Sequence, residues 1–205
     1  MRDVLVSNRT RTCWDRAIRI QHCFWIYKKA IAYYEQADSL ITDNSFKEEL
    51  VEIYRLAGDT KKADATAKVV IENLSKDAEA GVKDESIGHY ADKELAYAYL
   101  NINKIDKALE HAMLEFNRRP NNIDVNEAVA WVYYKKGDYA KALPYIKTAI
   151  RTNSKNPILL CRAGLIFDKA GDKAMAKTLL QQATTNNAYI GHNLKIETDT
   201  ALKTL

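Results

Sequence analysis

Between His89 and Ile190 the apolar and small residues recur every 34 positions, three times without a gap. Tyr99, Tyr133 and Phe167 fall in one column, Asn103, Gly137 and Gly171 in a second, and Ala108, Ala142 and Ala176 in a third. Inside each unit the spacing is helical. Leu95, Ala96, Tyr99 and Leu100 sit at i, i+1, i+4 and i+5; Val129, Ala130, Tyr133 and Tyr134 repeat the pattern; Ala163, Gly164 and Phe167 follow it, with Asp168 in the last place. A second stripe comes after each turn: Ala108, Leu109, Ala112; then Ala142, Leu143, Ile146, Ala149, Ile150; then Ala176, Leu179, Leu180, Ala183. Each unit is thus predicted to be two amphipathic helices. Asn103, Gly137 and Gly171 tolerate the left-handed conformation that ends a helix, and Asp138 and Asp172 are expected to cap the helices that follow. Pro120 and Pro157 mark the seams between units, where a helix must stop. Pro144 falls near the start of a second helix and is expected to bend it. Small residues on both helices (Ala96, Ala130, Gly164; Ala108, Ala142, Ala176) leave room for close packing. A helix pair this short cannot bury its apolar face alone, so the units are stable only as a stack.

The same columns extend upstream. In residues 44–77, Leu50, Val51, Tyr54, Gly58, Asp59, Ala63 and Ala67 occupy the expected places. The frame then slips by 11 residues near 78–88. Eleven residues make about three helical turns, so either the flanking helices are longer or Gly81 and Gly88 bound a loop. Downstream, in residues 191–205, Leu194, Ala201, Leu202 and Leu205 can share one helix face, which predicts a C-terminal capping helix with a polar back.

The run Ala130, Tyr133-Tyr134, Gly137-Asp138-Tyr139, Ala142, Ala149-Ile150 resembles the tetratricopeptide repeat nearly position by position. The units at 89–122 and 157–190 are similar, with Asn103 in place of the turn glycine in the first. The resemblance implies an all-α fold, a right-handed superhelix or solenoid of antiparallel helix hairpins, spanning residues 1–205 as a single array. Lys29 to Ala37 resembles the second helix of a repeat, giving a second helix over 29–43, with a degenerate first helix from about Thr12 to His22 and Trp14 where the family often has Trp. One long helix capping the array is the alternative there. The resemblance also implies that the first helices line a concave groove holding a peptide or helix of a partner. The groove positions would be Tyr90, Lys93, Tyr97, Leu100 and Asn101; Glu127, Trp131, Tyr134 and Lys135; Cys161, Leu165, Asp168 and Lys169; and Glu48, Glu52 and Arg55. Tyr97, Trp131 and Leu165 would align as an apolar strip, which either meets the partner or packs against neighbouring helices as core; in the first case Trp131→Ala would weaken partner binding without unfolding the chain, and in the second it would lower the melting temperature. A family subgroup clamps a C-terminal carboxylate with cations at positions that here hold Glu48, Glu52, Lys93, Tyr97, Glu127 and Trp131; the acids exclude that specificity. A partner segment with apolar side chains and some basic character fits better.

Composition changes the picture little. Only 7 Gly and 3 Pro in 205 residues suit a helical array, and a net charge of +4 is too small to imply nucleic acid. No apolar run is long enough to span a membrane. Three cysteines make no disulfide framework, and the start lacks a secretory pattern, so a cytoplasmic location is the expectation. The positive charge is concentrated in residues 1–28, a basic arm where Arg2, Arg9, Arg11, Arg16, Arg19 and Lys28 meet only Asp3 and Asp15. Self-association through this basic, aromatic region is the second functional reading.

Nothing in the sequence points to catalysis or a cofactor: no phosphate loop, nucleophile elbow or zinc pattern appears. Cys13, His22 and Cys23 lack a fourth ligand and a known spacing. His89 and Asp92 share a helix face but read as charges at a helix start, with Glu94 nearby. His111, with Glu110 and Glu115, reads as surface, and Cys161 beside Arg162 as a small buried residue. The expected function is a non-catalytic scaffold for protein–protein interaction.

Overall fold

The computed structural model describes residues 26–41, 44–84, 90–185 and 190–205. Cys13, Trp14, His22, Cys23 and His89, and with them most of the basic arm, lie outside the described residues. Among the described residues the structure is all α-helix, without a strand. The chain divides into two units, residues 1–73 and 74–205. The division falls inside one continuous helix.

The first unit contains α1 (residues 26–40), α2 (Asn44–Leu56) and the first part of α3 (Thr60–Lys83). Its core is Leu50, Tyr54 and Ala63, with Ile31 and Tyr34 packed against them. The predicted turn is present: Gly58 has φ 83°, and the Asp59 carboxylate accepts from the Lys62 amide at 3.0 Å. Tyr54 donates its hydroxyl to Glu35 at 2.6 Å, which ties α2 to α1. Of the segment where the frame slips, residues 78–84 are described. α3 is a 24-residue helix that ends at Lys83, with Gly81 in its last turn.

The second unit is a solenoid of antiparallel hairpins: α4 (Asp92–Asn101) with α5 (Ile105–Arg118), α6 (Ile123–Lys136) with α7 (Tyr139–Ala149), and α8 (Pro157–Lys169) with α9 (Lys173–Thr184). A short 3-10 turn, Ile150–Thr152, follows α7, and α10 (His192–Thr204) ends the row. Neighbours pack in sequence, and the first helices also pack on one another, α4 on α6, α6 on α8 and α8 on α10. The hairpin turns are alike. Asn103, Gly137 and Gly171 have φ of 57°, 86° and 95°. In each turn the next amide donates to the carbonyl five residues back, to Tyr99, Tyr133 and Phe167, at 2.9–3.0 Å. Asn pays for the left-handed conformation less than other side chains do, so the turn survives without glycine in the first hairpin.

Helix starts differ from the expectation. Asp172 caps α9, accepting from the Met175 amide at 3.0 Å, but the Asp138 side chain makes no cap and pairs instead with Lys141 at 3.2 Å. Further side-chain caps are at the seams. Asn122 accepts from Asp124 and Val125 amides at 2.9 and 3.1 Å, and Asn156, 34 residues on, from Ile158 and Leu159 at 2.9 and 3.3 Å. Pro157 occupies the first turn of α8, where its missing N–H costs nothing. α7 continues through Pro144 to Ala149.

Candidate interaction surface

The side chains expected to line a groove come from α4, α6 and α8, and the solenoid brings most of them together. At the centre is a residue the sequence reading did not select. Arg162, on α8, reaches back over both preceding first helices. Its Nη1 donates to the Tyr97 hydroxyl at 2.9 Å and to Glu127 Oε1 at 2.8 Å. Its guanidinium lies 5.0 Å from the Tyr97 ring centre and 5.1 Å from that of Trp131. A planar, weakly hydrated cation suits this position between two rings. Burial pushes the Tyr97 phenol up to about 12, with Glu127 adding to the shift and Arg162 opposing it. Burial also raises the Glu127 carboxyl, again against Arg162.

The other half of the surface lies at the C-terminal end of α6. Trp131 and Tyr134 stack at 4.8 Å and 8°. Lys135 Nζ sits 4.5 Å above the Trp131 ring and pairs with Glu197 Oε1 of α10 at 2.5 Å. The Tyr134 hydroxyl donates to Glu197 Oε2 at 3.3 Å, and its pKa is raised by burial first and by Glu197 second. On α8, burial pushes the Cys161 thiol up, and Thr198 of α10 is close enough to oppose the shift.

The strip Tyr97, Trp131, Leu165 aligns, but it is not bare. Trp131 is 7%, Leu165 2% and Asp168 6% exposed. Trp131 and Leu165 belong to one apolar cluster with Leu194 and Ala201 of α10, and Tyr97 packs against it. Their expected exposure is therefore corrected: Arg162 and α10 cover them. Asp168 is engaged by Lys173 at 2.6 Å. Tyr90 is taken from the other side, with the Arg118 guanidinium of α5 4.1 Å from its ring centre. Asn101 and Lys135 stay exposed, and Lys93 and Glu127 partly so. Of the groove positions on α2 in the first unit, Arg55 pairs with Asp64 at 3.6 Å, and Glu48 and Glu52 are partly buried.

A second polar cluster was missed in the first hairpin. Asp92 is buried at the start of α4, with His111 Nδ1 at 2.6 Å from its Oδ1 and Arg118 on its other oxygen. Glu115, also buried, receives Arg119 Nε at 2.6 Å and lies 3.4 Å from Arg118 Nε. His111 stacks on Tyr99 at 5.3 Å rather than facing water as expected. Burial lowers its pKa. The sequence carried a signal: Glu115 stands in the column of Ala149 and Ala183, where an acid must be paired to be buried. Among the described residues no group of three or more His, Cys, Asp or Glu side chains is placed to hold a metal ion, and no helix is long and apolar enough to cross a membrane.

A family model described as tetratricopeptide repeat matches residues 123–156, the span from the start of α6 to the cap of α8. No curated protein matches the chain.

Proposed function

We propose that the chain, whose residues 123–156 match the tetratricopeptide repeat, is a non-catalytic scaffold that holds a protein segment along the inner faces of its first helices. The observation that supports this most is the row itself. α4, α6, α8 and α10 lie side by side, and their shared face gathers aromatic rings and cations, the residue types richest in binding hot spots. Of the expected contacts, Lys93, Tyr97, Asn101, Glu127, Tyr134 and Lys135 keep exposed area, while Trp131, Leu165 and Asp168 are buried beneath them and Tyr90 is engaged by Arg118. The exposed members, Asn101 and Lys135, meet the partner first.

A photo-crosslinking side chain at position 101 or 93 is expected to capture the partner in native cell extract, and one at Lys147, exposed on α7, is not. Equal capture from both faces overturns the reading.

One observation favours self-assembly as a second reading. On α1, Ile26, Tyr33 and Leu40 recur every seven residues, and Tyr33 and Leu40 are 69% and 77% exposed. Such a stripe suits a helix partner. A concentration-independent monomer by light scattering disposes of it.

A further inference from the structure

We propose that Asp92, His111 and Arg118 form a proton-operated latch: with a neutral imidazole they hold the start of α4 against α5, and a proton on His111 releases it. The inference goes beyond the scaffold reading, because it concerns how the first hairpin is kept closed and needs no partner.

The start of α4 lacks the fastening of its counterparts. In the 34-residue frame α6 and α8 begin at the first position of their units and α4 only at the fourth. Asn122 and Asn156 cap those two helices, but no side chain caps α4. The residue before it, Ala91, has φ 51°, a left-handed conformation that a residue with a Cβ adopts only under strain. Asp92, the first residue of the helix, ties it to α5 instead. One oxygen meets His111 Nδ1 at 2.6 Å and the other meets Arg118. Arg118 also covers the Tyr90 ring ahead of the helix, 4.1 Å from its centre.

This tie is balanced only while His111 is neutral. Asp92 and Glu115 are buried acids, and Arg118 and Arg119 already meet them. Arg118 Nε and Nη2 are shut off from water. A proton on the imidazole adds a third cation to acids that are already matched, in a place with little water to screen it. The groups facing His111 do not offset that charge. From α4 come Asp92, claimed by Arg118, and the Tyr99 ring, which stacks on the imidazole. On α5 itself Glu110 favours the proton and Lys107 opposes it. α6 also packs on α5, and its charge tie to that helix is Lys136 on Asp106, five residues before His111. Burial is the strongest influence and keeps the imidazole below the ordinary histidine value. The folded chain therefore takes the proton less readily than the unfolded chain. The latch is fully made above about pH 6.5, the ordinary value, and its stabilisation is lost as the pH falls below it.

The next hairpin shows the same place without the switch. In the same columns Tyr145 stacks on Tyr133 at 5.8 Å and 19°, as His111 does on Tyr99 at 5.3 Å and 13°. Asn126 stands in the column of Asp92 and donates to the Pro120 and Asn122 carbonyls, each at 2.7 Å. The third hairpin has Leu160 and Leu179 there. Packing at these positions thus needs neither an acid nor an imidazole. α4 carries Lys93, Tyr97 and Asn101, so opening its start loosens one end of the proposed contact surface; that consequence alone rests on the scaffold reading.

The test uses the full chain, with the proton as probe. By NMR, His111 is expected to titrate with a midpoint below about 6.5, and the amides of Lys93, Leu95 and Tyr97 to shift with the same midpoint. Titration at or above that value overturns the proposal, and so does titration below it with those amides unmoved. Between about pH 7.5 and about pH 5.5, above the ordinary carboxylate range, the urea midpoint of the native chain is expected to fall. His111→Tyr, which copies Tyr145, keeps a ring and removes the titrating group, so its midpoint should fall markedly less. Equal falls in the two chains overturn the proposal. If His111→Tyr fails to fold, the titration of the native chain decides by itself. Neither readout involves a partner. Amides that follow His111 with no capture at position 93 or 101 sink the scaffold reading alone, and capture there with amides indifferent to His111 sinks this one alone.

Discussion

Gly164 and Leu180 form one pair of facing positions in which size has been traded across the hairpin. A methyl group on Gly164 would sit 2.5 Å from Leu180 Cγ and 3.2 Å from the Ala176 carbonyl oxygen. Leu180 is fully buried and has nowhere to go. In the same columns the first hairpin pairs Ala96 with Ala112, both buried. Gly164→Ala should therefore lower the urea midpoint, an overpacking cost of about 1–3 kcal/mol set against about 1 kcal/mol of helix propensity gained. Gly164→Ala combined with Leu180→Ala, which copies the first hairpin's pairing, should show non-additive coupling between the two sites. Trp131 makes the opposite point. Its position in the 34-residue column was legible, and its chemistry allowed either an exposed anchor or a core residue. Its surroundings were not legible, because Arg162 and α10 reach it from 31 or more residues away. At 7% exposure, stacked on Tyr134 and faced by Arg162, it is a core residue. Trp131→Ala is expected to cost about 3–5 kcal/mol, seen as a large drop in melting temperature, and not binding alone.

At the level of elements, the periodicity located the hairpins and their turns because each is fixed by residues close in sequence. Capping followed less well. Asp138 and Asp172 look alike in sequence, yet only Asp172 caps its helix. A side chain at that place must choose between the amide and a nearby Lys141. Asn122 and Asn156 sit before the proline-marked helices with no such competitor in the observed bonds. The Asp92 cluster was invisible for a further reason: a charged residue in an amphipathic pattern is assigned to solvent unless a partner can be foreseen, and Arg118 lies a whole helix away. Asp92→Ala removes the acceptor shared by His111 and Arg118 and leaves buried cation character unopposed. Breaking such a pair from one side costs about 3–5 kcal/mol. Asp92→Asn, which installs the side chain the α6–α7 hairpin has in the same column at Asn126, keeps an acceptor and should lose markedly less. Chemical denaturation of the two variants side by side distinguishes a charge requirement from a hydrogen-bond requirement.

Across the whole chain, stability in a repeat array is a sum of unit terms and nearest-neighbour interfaces. In the second unit successive first helices pack on one another, α4 on α6 and α6 on α8, and α10 supplies the last of these contacts. Leu194 of α10 lies in the apolar cluster with Leu165, Leu180 and Ala183. Leu194→Asp would place an unpaired carboxylate in that cluster, and the carboxylate drives α10 off rather than ionising inside it. The damage should then be graded. Hydrogen exchange is expected to show α10 unprotected, α8 and α9 substantially weakened because the faces that α10 covers are bared, α6 and α7 weakened less, and α4 and α5 close to native. A uniform loss across all of them would mean that the second unit unfolds as a single cooperative block, and the picture of hairpins leaning on each other in series would fail. Native protection at α8 in this variant would mean instead that the last hairpin holds its fold without a helix closing the end of the row.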